Sequence, residues 1–322
     1  MDLYLGVDVG SVTAKFALID KSGELLSSVY LRTSGKPIPA IQQGLSQIRD
    51  KLPHEGVIQG VGTTGSARYL AGIMIGADVI KNEISSQAVA ALRYVPGAQT
   101  IIEIGGQDSK IIILRRGLIA DFSMNTVCAA GTGSFLDHQA SRLNIGIDDF
   151  GNRATQSKNP VRVSGQCTVF AESDMIHKQQ MGCAMNDILY GLCQALVRNY
   201  LHSVGSGKEI ISPIVFLGGV AFNQGMAMAF REVLGTESVI VPPHHEVMGA
   251  IGAALLALEN EVGRGGGTKF SGFGTSEAMY HVSSLECKVC PSLCEIAQLS
   301  LNGHTLGSWG GRCDLWGRVL TV

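Results

Sequence analysis

The sequence predicts an α/β protein made of two similar domains and a small cysteine-rich appendage at the C-terminal side. Three observations support this fold class. Short apolar runs alternate with amphipathic segments along most of the chain, which is typical of domains that layer helices on a sheet. Residues 100–114 align without gaps on residues 5–19, which indicates an internal repeat. At 322 residues, the chain is also longer than one hydrophobic core usually supports.

The first half of the chain opens with a β-hairpin. Apolar runs predict strands over residues 3–9, 14–19, 24–33 and 57–61. Apolar positions at helical spacing predict helices over residues 38–52, 66–74 and 85–94. Residues 62–65 are predicted to form a loop, and Pro96 and Gly97 mark the end of this half.

The second half repeats the hairpin, over residues 100–114, and then becomes mainly helical. After residues 117–121, helices are predicted from Ser134 onward, over residues 168–181, 186–204 and 247–258, and around Met226 to Phe230. Strands are predicted over residues 214–217 and 239–241, whereas the polar residues 144–160 suggest no element. Ser134 and Asp137 resemble a capping box at a helix start. Cys183 and Cys193 lie within a helical pattern and are interpreted as core residues.

Composition argues against several classes of partner. A net charge of −2 and a pI near 6.4 predict no nucleic-acid surface and no membrane-binding patch. The first residues lack the basic region and long apolar stretch of a signal peptide, so a cytoplasmic protein is expected. Without a secretory signal, the eight cysteines favour metal binding or redox chemistry over disulfides.

The two hairpins of the repeat carry residues that suit phosphate binding. The alignment pairs an acid, a glycine and a lysine of each hairpin: Asp8 with Glu103, Gly10 with Gly105, and Lys15 with Lys110. Backbone N–H groups at a glycine turn can line a triphosphate, and Mg²⁺ needs oxygen ligands nearby. Asp8, Glu103 and Asp108 are therefore the candidate catalytic residues, and which of them positions the attacking water stays open. Neither the Walker A pattern nor the Rossmann glycine pattern occurs.

Three motifs together resemble the phosphate and adenosine motifs of the actin, sugar kinase and heat-shock-70 ATPase superfamily. They are DVGSVTAK at 8–15, EIGGQDSK at 103–110 and FLGGVAFN at 216–223. The resemblance implies two ribonuclease-H-like domains of the actin-like ATPase fold with an ATP cleft between them, binding ATP or ADP with Mg²⁺. The residues that it assigns to the nucleotide are Gly10, Ser11, Val12, Thr13, Lys15, Gly105, Gly106, Gln107, Gly218, Gly219, Val220 and Asn223.

The same resemblance divides the chain. Residues 1–97 would form the first ribonuclease-H-like domain, completed by a helix over 245–260, and residues 98–244 the second. A linker over 261–275 and an appendage over 276–322 would follow.

Two further stretches, NTVCAAGTGSFLDHQASRL at 125–143 and SGQCTVFAESDMI at 164–176, narrow the resemblance. They are similar to the activators of 2-hydroxyacyl-CoA dehydratases and the ATPase subunits of benzoyl-CoA reductases, over about residues 3–260. In that family two cysteines per chain, here Cys128 and Cys167, hold one [4Fe–4S] cluster across a homodimer, which matches the four thiolates that a cubane takes. The loop Gly131, Thr132 and Gly133 would contact nucleotide on one side and cluster on the other.

The family mechanism that this resemblance implies belongs to anaerobic metabolism. Ferredoxin or flavodoxin supplies an electron, ATP binding closes the domains, and the electron passes at low potential to a dehydratase, a benzoyl-CoA reductase or a double-cubane-type partner. Two other readings of the same ATPase core stay open. One is a sugar or carboxylate kinase that needs no iron, and the other is a non-redox ATPase switch acting on a protein client.

The appendage contains a second group of cysteines: Cys287, Cys290, Cys294 and Cys313. Four thiolates suit a second iron–sulfur cluster or a zinc ion, and a site without metal is the third alternative. The strand-like residues at the end, RVLTV, suggest that the chain is a fragment of something longer.

Overall fold

The structure is a computed structural model, and it describes residues 1–125, 127–165, 167–264 and 267–316. The chain forms two compact units. Unit 1 comprises Met1–Ala90 and Gly249–Val322, and unit 2 comprises Ala91–Met248.

Unit 1 is built on a five-stranded mixed sheet. Its strands lie in the order β3-β2-β1-β4-β5, with β1 antiparallel to β2 and parallel to β4. The strands are β1 (Asp2–Val9), β2 (Thr13–Asp20), β3 (Leu25–Arg32), β4 (Val57–Thr64) and β5 (Val79–Ile80). The helices that follow them are α1 (Pro37–Arg49), α2 (Arg68–Ile75) and α3 (Glu83–Tyr94). Buried apolar side chains from one face of β1, those of Leu3, Leu5, Val7 and Val9, form the centre of the core.

Unit 2 has a second five-stranded sheet, in the order β10-β9-β6-β7-β8. Its strands are β6 (Thr100–Ile104), β7 (Ser109–Arg115), β8 (Leu118–Asn125), β9 (Ile214–Leu217) and β10 (Val239–Ile240). Its helices are α4 (Gly133–Arg142), α5 (Ile147–Ala154), α6 (Thr168–Gln180), α7 (Met185–Ser203) and α8 (Gln224–Leu234). The long helix α7 supplies more buried residues to this core than any other helix, including Cys193.

The internal repeat predicted from the sequence is confirmed by the topology. In both sheets the first strand pairs antiparallel with the second and parallel with the fourth. The second and third strands are antiparallel, and the fourth and fifth are parallel. The register also matches, because Asp8 lies opposite Lys15 and Glu103 lies opposite Lys110.

Unit 1 is completed by helix α9 (Met248–Arg264). Its backbone lies directly on the sheet, since a Cβ on Gly6 of β1 would stand 1.8 Å from the Ala250 carbonyl oxygen. A Cβ on Gly62 of β4 would stand 2.0 Å from the Ala253 carbonyl oxygen. This contact explains the Gly- and Ala-rich sequence of α9, because larger residues would force the helix off the strands. The helix includes residues 261–264, where the sequence suggested a linker.

The C-terminal segment forms a three-stranded antiparallel sheet of β11 (Tyr280–Glu286), β12 (Glu295–Leu301) and β13 (His304–Trp309). It packs on α2, where a Cβ on Gly307 would stand 2.9 Å from the Ile73 side chain. The Gln42 amide of α1 donates to the Ala278 carbonyl at 2.7 Å. The appendage is therefore attached to unit 1.

Two further local predictions are wrong. Strand β4 continues to Thr64, so most of residues 62–65 are strand rather than loop. The polar segment 144–160 contains helix α5, which buries Phe150 and Ala154 against unit 2 and exposes its acidic residues. Within the described residues, no helix is both long enough and apolar enough to span a bilayer.

Candidate functional site

The first candidate phosphate loop connects β1 and β2. The Gly10 N–H donates to the Thr13 carbonyl at 2.9 Å and closes the turn. The side chain of Thr33, the residue after β3, donates to the Ser11 carbonyl at 2.7 Å and anchors the loop from outside. Ser11 itself is exposed. The loop thus has a fixed backbone whose tip is open to a ligand.

A buried acid stands at the base of this loop. Asp8 is 4% exposed and pairs with the Lys15 ammonium at 3.0 Å. Its carboxylate and the Gln87 amide both lie within 3.5 Å of the point where a Cβ on Gly249 would stand. The absence of that side chain in α9 leaves room beside Asp8.

Two polar atoms near Asp8 have no hydrogen-bond partner among the described residues. They are Thr64 Oγ1 and Gln87 Oε1, and both side chains are buried. Thr64 lies opposite Asp8 in the pairing of β1 with β4. Because buried polar groups are normally hydrogen-bonded, these atoms fit a site whose remaining partners come from phosphate oxygens, a hydrated Mg²⁺ or water.

The equivalent loop of unit 2 connects β6 and β7 and has the same construction. The Gly105 N–H donates to the Asp108 carbonyl at 3.0 Å. Lys110 is almost fully buried and contacts Glu103 at 2.9 Å and Asp108 at 2.8 Å. The Tyr200 hydroxyl of α7 donates to the Lys110 carbonyl at 2.7 Å, and burial raises the pKa of that phenol well above its usual value. Glu103 is enclosed by these contacts, whereas the Asp108 side chain is 35% exposed.

The start of α4 is hydrogen-bonded directly to this loop. Gly133 N–H donates to the Gly105 carbonyl at 2.9 Å, and Ser134 N–H donates to the Gly106 carbonyl at 2.8 Å. The Ser134 hydroxyl donates to the same Gly106 oxygen. Thr132 occupies the N-cap position, so the predicted capping box of Ser134 and Asp137 is wrong. The serine instead joins the helix to the candidate phosphate loop.

The third motif meets the second in unit 2. Gly218, at the end of β9, has a φ of 91°, and a Cβ there would stand 2.3 Å from the Ile104 carbonyl. Val220 lies beside Gly133, with 3.1 Å between its methyl group and the position of a Cβ on that glycine. Asn223 accepts a hydrogen bond from the Met226 N–H at 3.1 Å and caps α8. The second phosphate loop, the loop before α4 and the adenosine motif are therefore adjacent.

Gly65 is the counterpart of Gly218 in the repeat, and sequence reasoning missed it. It follows β4 with a φ of 94°, and its Cβ would stand 2.3 Å from the Val9 carbonyl. Both glycines adopt a backbone conformation that other residues rarely reach. The signal that could have found Gly65 is a glycine directly after the fourth strand of each half.

Cys128 precedes a short 3₁₀ turn between β8 and α4, and its position is set by Asn125. The buried Asn125 side chain accepts a hydrogen bond from the Cys128 N–H at 2.9 Å and donates to the Cys128 carbonyl at 2.8 Å. Cys128 is exposed. Asn125 is a positioning residue that the sequence pattern did not single out.

Cys167 occupies the N-cap position of α6 and is partly exposed. Its sulfur therefore lies where a helix N-terminus favours negative charge. Asn199 of α7 donates to the Gly165 carbonyl at 2.5 Å, two residues before Cys167. The Asn199 side-chain oxygen also lies 2.9 Å from the Cβ position of Gly131, in the loop that follows Cys128. One residue of α7 thus contacts both cysteine-bearing loops.

Helices α4 and α6 are also linked on the surface. Glu172 contacts His138 at 3.0 Å and forms an ion pair with Arg142. Hydrogen bonds from His138 and then from Arg142 hold the pKa of the Glu172 carboxyl below its usual range. This triad ties together the two helices that begin next to Cys128 and Cys167.

Cys128 and Cys167 are both accessible to solvent. One [4Fe–4S] cubane takes four thiolates, so two copies of this pair would be needed to hold it. Among the described residues, no group of three or more His, Cys, Asp or Glu side chains stands at metal-binding distance. Val127, Val169 and Phe170 flank the cysteines and expose 94%, 66% and 59% of their surface. Such adjacent apolar residues suit contact with a second protein chain.

The other cysteines of unit 2 are structural. Cys193 is fully buried in the core, and burial raises the pKa of its thiol. Cys183 packs against the same core. The predicted core role is confirmed for Cys193, whereas Cys183 lies at the edge of the core and is only partly buried.

Comparison with known proteins identifies relatives of this fold and these motifs. The (R)-2-hydroxyglutaryl-CoA dehydratase activating ATPase of Acidaminococcus fermentans is 35% identical over 262 residues, covering 80% of this chain and 98% of that protein. A solved structure, the activator of the 2-hydroxyisocaproyl-CoA dehydratase from Clostridium difficile with bound ADPNP, matches with a TM-score of 0.74 at 31% identity. That match covers 82% of this chain and 97% of the activator.

A second solved structure agrees with the first. Component A of the (R)-2-hydroxyglutaryl-CoA dehydratase of Acidaminococcus fermentans has a TM-score of 0.72 at 32% identity, covering 81% of this chain and 100% of that one. The expected actin-like ATPase fold is confirmed by these matches and by the two sheets. The model of the BadF/BadG/BcrA/BcrD ATPase family matches residues 5–257. The chain belongs to this ATPase family.

Proposed function

We propose that this chain is an ATP-dependent electron donor that activates a 2-hydroxyacyl-CoA dehydratase or a related CoA-ester reductase. The observation that carries the proposal is the pair of backbone hydrogen bonds from Gly133 and Ser134 to Gly105 and Gly106. They join the candidate phosphate loop to the segment that begins at Cys128. The relatives that activate such dehydratases support the same conclusion.

In this proposal each hairpin loop is a phosphate-binding loop. Gly10 to Thr13 and Gly105 to Gln107 present backbone N–H groups and short polar side chains to the phosphates. Asp8 and Asp108, each next to one of these loops, are the carboxylates that would bind hydrated Mg²⁺. Glu103 is enclosed by Lys110, so its main role is to position that lysine and the loop.

ATP binding would be communicated to the cysteines through unit 2. A shift of the Gly105–Gly106 backbone moves the start of α4, because two N–H groups and the Ser134 hydroxyl are bonded to it. The movement reaches Cys128 through the intervening glycine loop. Asn199 and the Glu172 triad carry it to the loop and helix of Cys167.

Cys128 and Cys167 from two copies of the chain would supply the four thiolates of one [4Fe–4S] cluster, with the exposed apolar residues beside them forming part of the homodimer contact. The cluster supplies one-electron transfer at low potential. Ferredoxin or flavodoxin is the proposed donor, and the dehydratase or reductase is the acceptor. The protein residues hold the thiolates in place and couple their surroundings to the bound nucleotide.

Anaerobic purification of the full chain tests this function. We expect a brown dimer with about four irons, ATPase activity, and ATP-dependent electron transfer from reduced flavodoxin to a dehydratase of this class. A colourless protein that phosphorylates a sugar or a carboxylate would overturn the proposal in favour of a kinase. An iron-free ATPase whose hydrolysis responds only to a protein client would overturn it in favour of a non-redox switch.

The role of the first loop leads to a specific prediction for Gly10→Ala. The added methyl group has space within the protein, since its nearest contact is the Thr13 carbonyl at 3.5 Å. The free energy of unfolding should therefore change by less than about 1 kcal/mol. A Cβ at the loop tip should still obstruct the phosphates and weaken ATP binding by about 10-fold or more, which corresponds to about 1.4 kcal/mol.

Titration with a fluorescent ATP analogue measures this effect. Gly274→Ala is the matched control, because the same methyl group there meets nothing within 4 Å and lies before β11 in the same unit. The control should bind ATP like the parent protein. Equal nucleotide affinity for Gly10→Ala and the parent protein would exclude close approach of phosphate to Gly10.

A further inference from the structure

Phe222 is an exposed aromatic residue within the adenosine motif at 216–223. It ends the 3₁₀ turn Gly219–Phe222 that follows β9, and it is 63% exposed. Val220 and Ala221 of the same turn are buried, and Asn223 caps α8 directly after it. The turn therefore packs its two smaller apolar side chains inward and presents the phenyl ring to solvent.

A histidine from another segment of unit 2 packs against this ring. Phe222 and His245 contact each other edge to face, with 4.4 Å between the ring centroids. His245 is itself attached twice to the start of the turn. Its Nδ1 lies 3.1 Å from the Gly218 carbonyl oxygen, and its carbonyl accepts a hydrogen bond from the Gly218 N–H at 3.1 Å. This packing restricts the rotation of the Phe222 ring, so less conformational entropy is lost when a ligand contacts it.

The turn also lies next to the second candidate phosphate loop. A Cβ on Gly218 would stand 2.3 Å from the carbonyl oxygen of Ile104, the residue directly before that loop. A 3₁₀ turn rises about 2 Å per residue, so the three steps from Gly219 to Phe222 span about 6 Å. A ribose spans a similar distance. A nucleotide with its phosphates on this loop can therefore bring its base to Phe222.

Exposure alone assigns no role to an aromatic side chain, because single exposed apolar residues are common on protein surfaces. Phe122 illustrates this, since it belongs to the same unit and is 50% exposed. It lies in β8, which β6 and β7 separate from β9. At about 4.8 Å per strand, that separation is about 14 Å. Phe222 differs from Phe122 in its place beside the glycine pair of the adenosine motif and in its contact with an anchored histidine.

We infer that Phe222 is the residue on which the base of the bound nucleotide stacks. The inference rests on nucleotide binding in the proposed function, and it adds a base-contacting side chain to the phosphate-binding loops. Every nucleobase has a π face, and stacking of that face on an aromatic ring favours binding without any hydrogen bond to the edge of the base. The half of the Phe222 surface that His245 and the turn leave open is available for this contact.

Titration of the full chain, purified anaerobically, with ATP and with inorganic tripolyphosphate tests the inference. Phe222→Ala should weaken ATP binding about fivefold or more, as expected for the loss of one stacked base. Tripolyphosphate has no base, so its affinity should stay within about twofold of the parent value. Phe222→Tyr keeps the aromatic ring and should retain the ATP affinity. Phe122→Ala is the matched control, and it should bind both ligands like the parent protein.

Fluorescence gives a direct readout of the same contact. In Phe222→Trp, ATP should quench the emission of the added indole, whereas tripolyphosphate should not. The signal is taken as the difference from the parent protein, which has two tryptophans, both in the C-terminal segment.

Equal ATP affinity for Phe222→Ala and the parent protein would overturn the inference and leave the proposed function standing. If electron transfer to the dehydratase were then lost, Phe222 would belong to the contact with the acceptor. An equal loss of affinity for ATP and for tripolyphosphate would also overturn the inference, because the substitution would have disturbed the phosphate loop. A parent chain that binds neither ligand would overturn the proposed function itself.

Discussion

Cys128→Ser and Cys167→Ser should each abolish the iron–sulfur cluster and with it all ATP-dependent electron transfer. Each substitution removes two of four thiolates from a shared cubane, because the dimer contains two copies of the altered position. A serine hydroxyl is a poor replacement for a thiolate on iron. Iron should fall from about four per dimer to near zero, and the EPR signal of the reduced protein should disappear.

Nucleotide binding should survive these substitutions. The candidate phosphate loops are closed by backbone hydrogen bonds at Gly10 and Gly105, and no cysteine takes part in those bonds. ATP affinity should therefore remain within about twofold of the parent value, or less than about 0.5 kcal/mol. Loss of iron with retained ATP binding separates a cluster ligand from a residue that is needed for folding.

Cys183→Ser is the matched control for this experiment. Cys183 belongs to unit 2 and lies only partly buried against the core, so the hydroxyl is tolerated there. The control should keep the iron and the electron transfer of the parent protein. A Cys128→Ser dimer that retains four irons would show that Cys128 is not a ligand of the cluster.

The sequence could reveal the repeat because a β-hairpin is a local structure. Asp8 and Lys15 are seven positions apart, and so are Glu103 and Lys110, and both pairs meet across antiparallel strands. Such pairs can be read from spacing and apolar alternation alone. The architecture of each half follows from extending that local motif by three strands and their helices.

The sequence could not reveal contacts between distant segments. Ser134 has the spacing of a capping residue, yet its hydroxyl bonds to Gly106, 28 positions earlier in the chain. Thr64, Gln87 and Gly249 reach the surroundings of Asp8 from three separate elements. Their roles depend on how β4, α3 and α9 pack in unit 1, which no local pattern specifies.

Helix α5 was missed for a different reason. It is eight residues long, and only Phe150, Gly151 and Ala154 of its sequence are buried. Two acidic residues in its first turn stabilise the helix by interacting with its dipole, but they give the segment the composition of a polar loop. A single turn of apolar spacing is too short to distinguish a surface helix from a loop.

Lys110→Met should cause the largest loss of stability of any substitution in the candidate site. The Lys110 side chain is 3% exposed and faces Glu103, which is 7% exposed, at 2.9 Å. Removing one partner of a buried ion pair typically destabilises a protein by about 3–5 kcal/mol, because the remaining charge stays in a poorly solvating environment. The Asp108 contact adds little to this loss, since its side chain is 35% exposed and screened by solvent.

Hydrogen exchange separates this effect by unit, which a single unfolding curve would not. Peptides from β6 and β7 should exchange faster by a factor of about 100 or more in Lys110→Met, corresponding to at least about 3 kcal/mol. Lys15→Met is the matched control, because Lys15 pairs with Asp8 in the equivalent hairpin but is 18% exposed.

Lys15→Met should increase hydrogen exchange by a smaller factor, mainly in peptides from β1 and β2, because water still reaches part of the ion pair between Lys15 and Asp8. The two halves share their topology and the register of this pair, so the two substitutions differ in burial and in the additional contact of Lys110 with Asp108. If hydrogen exchange becomes faster by the same factor in both variants, burial does not set the strength of these ion pairs. If exchange becomes about 100-fold faster only in Lys110→Met, unit 2 depends on this ion pair to hold Glu103 beneath the loop that contacts α4.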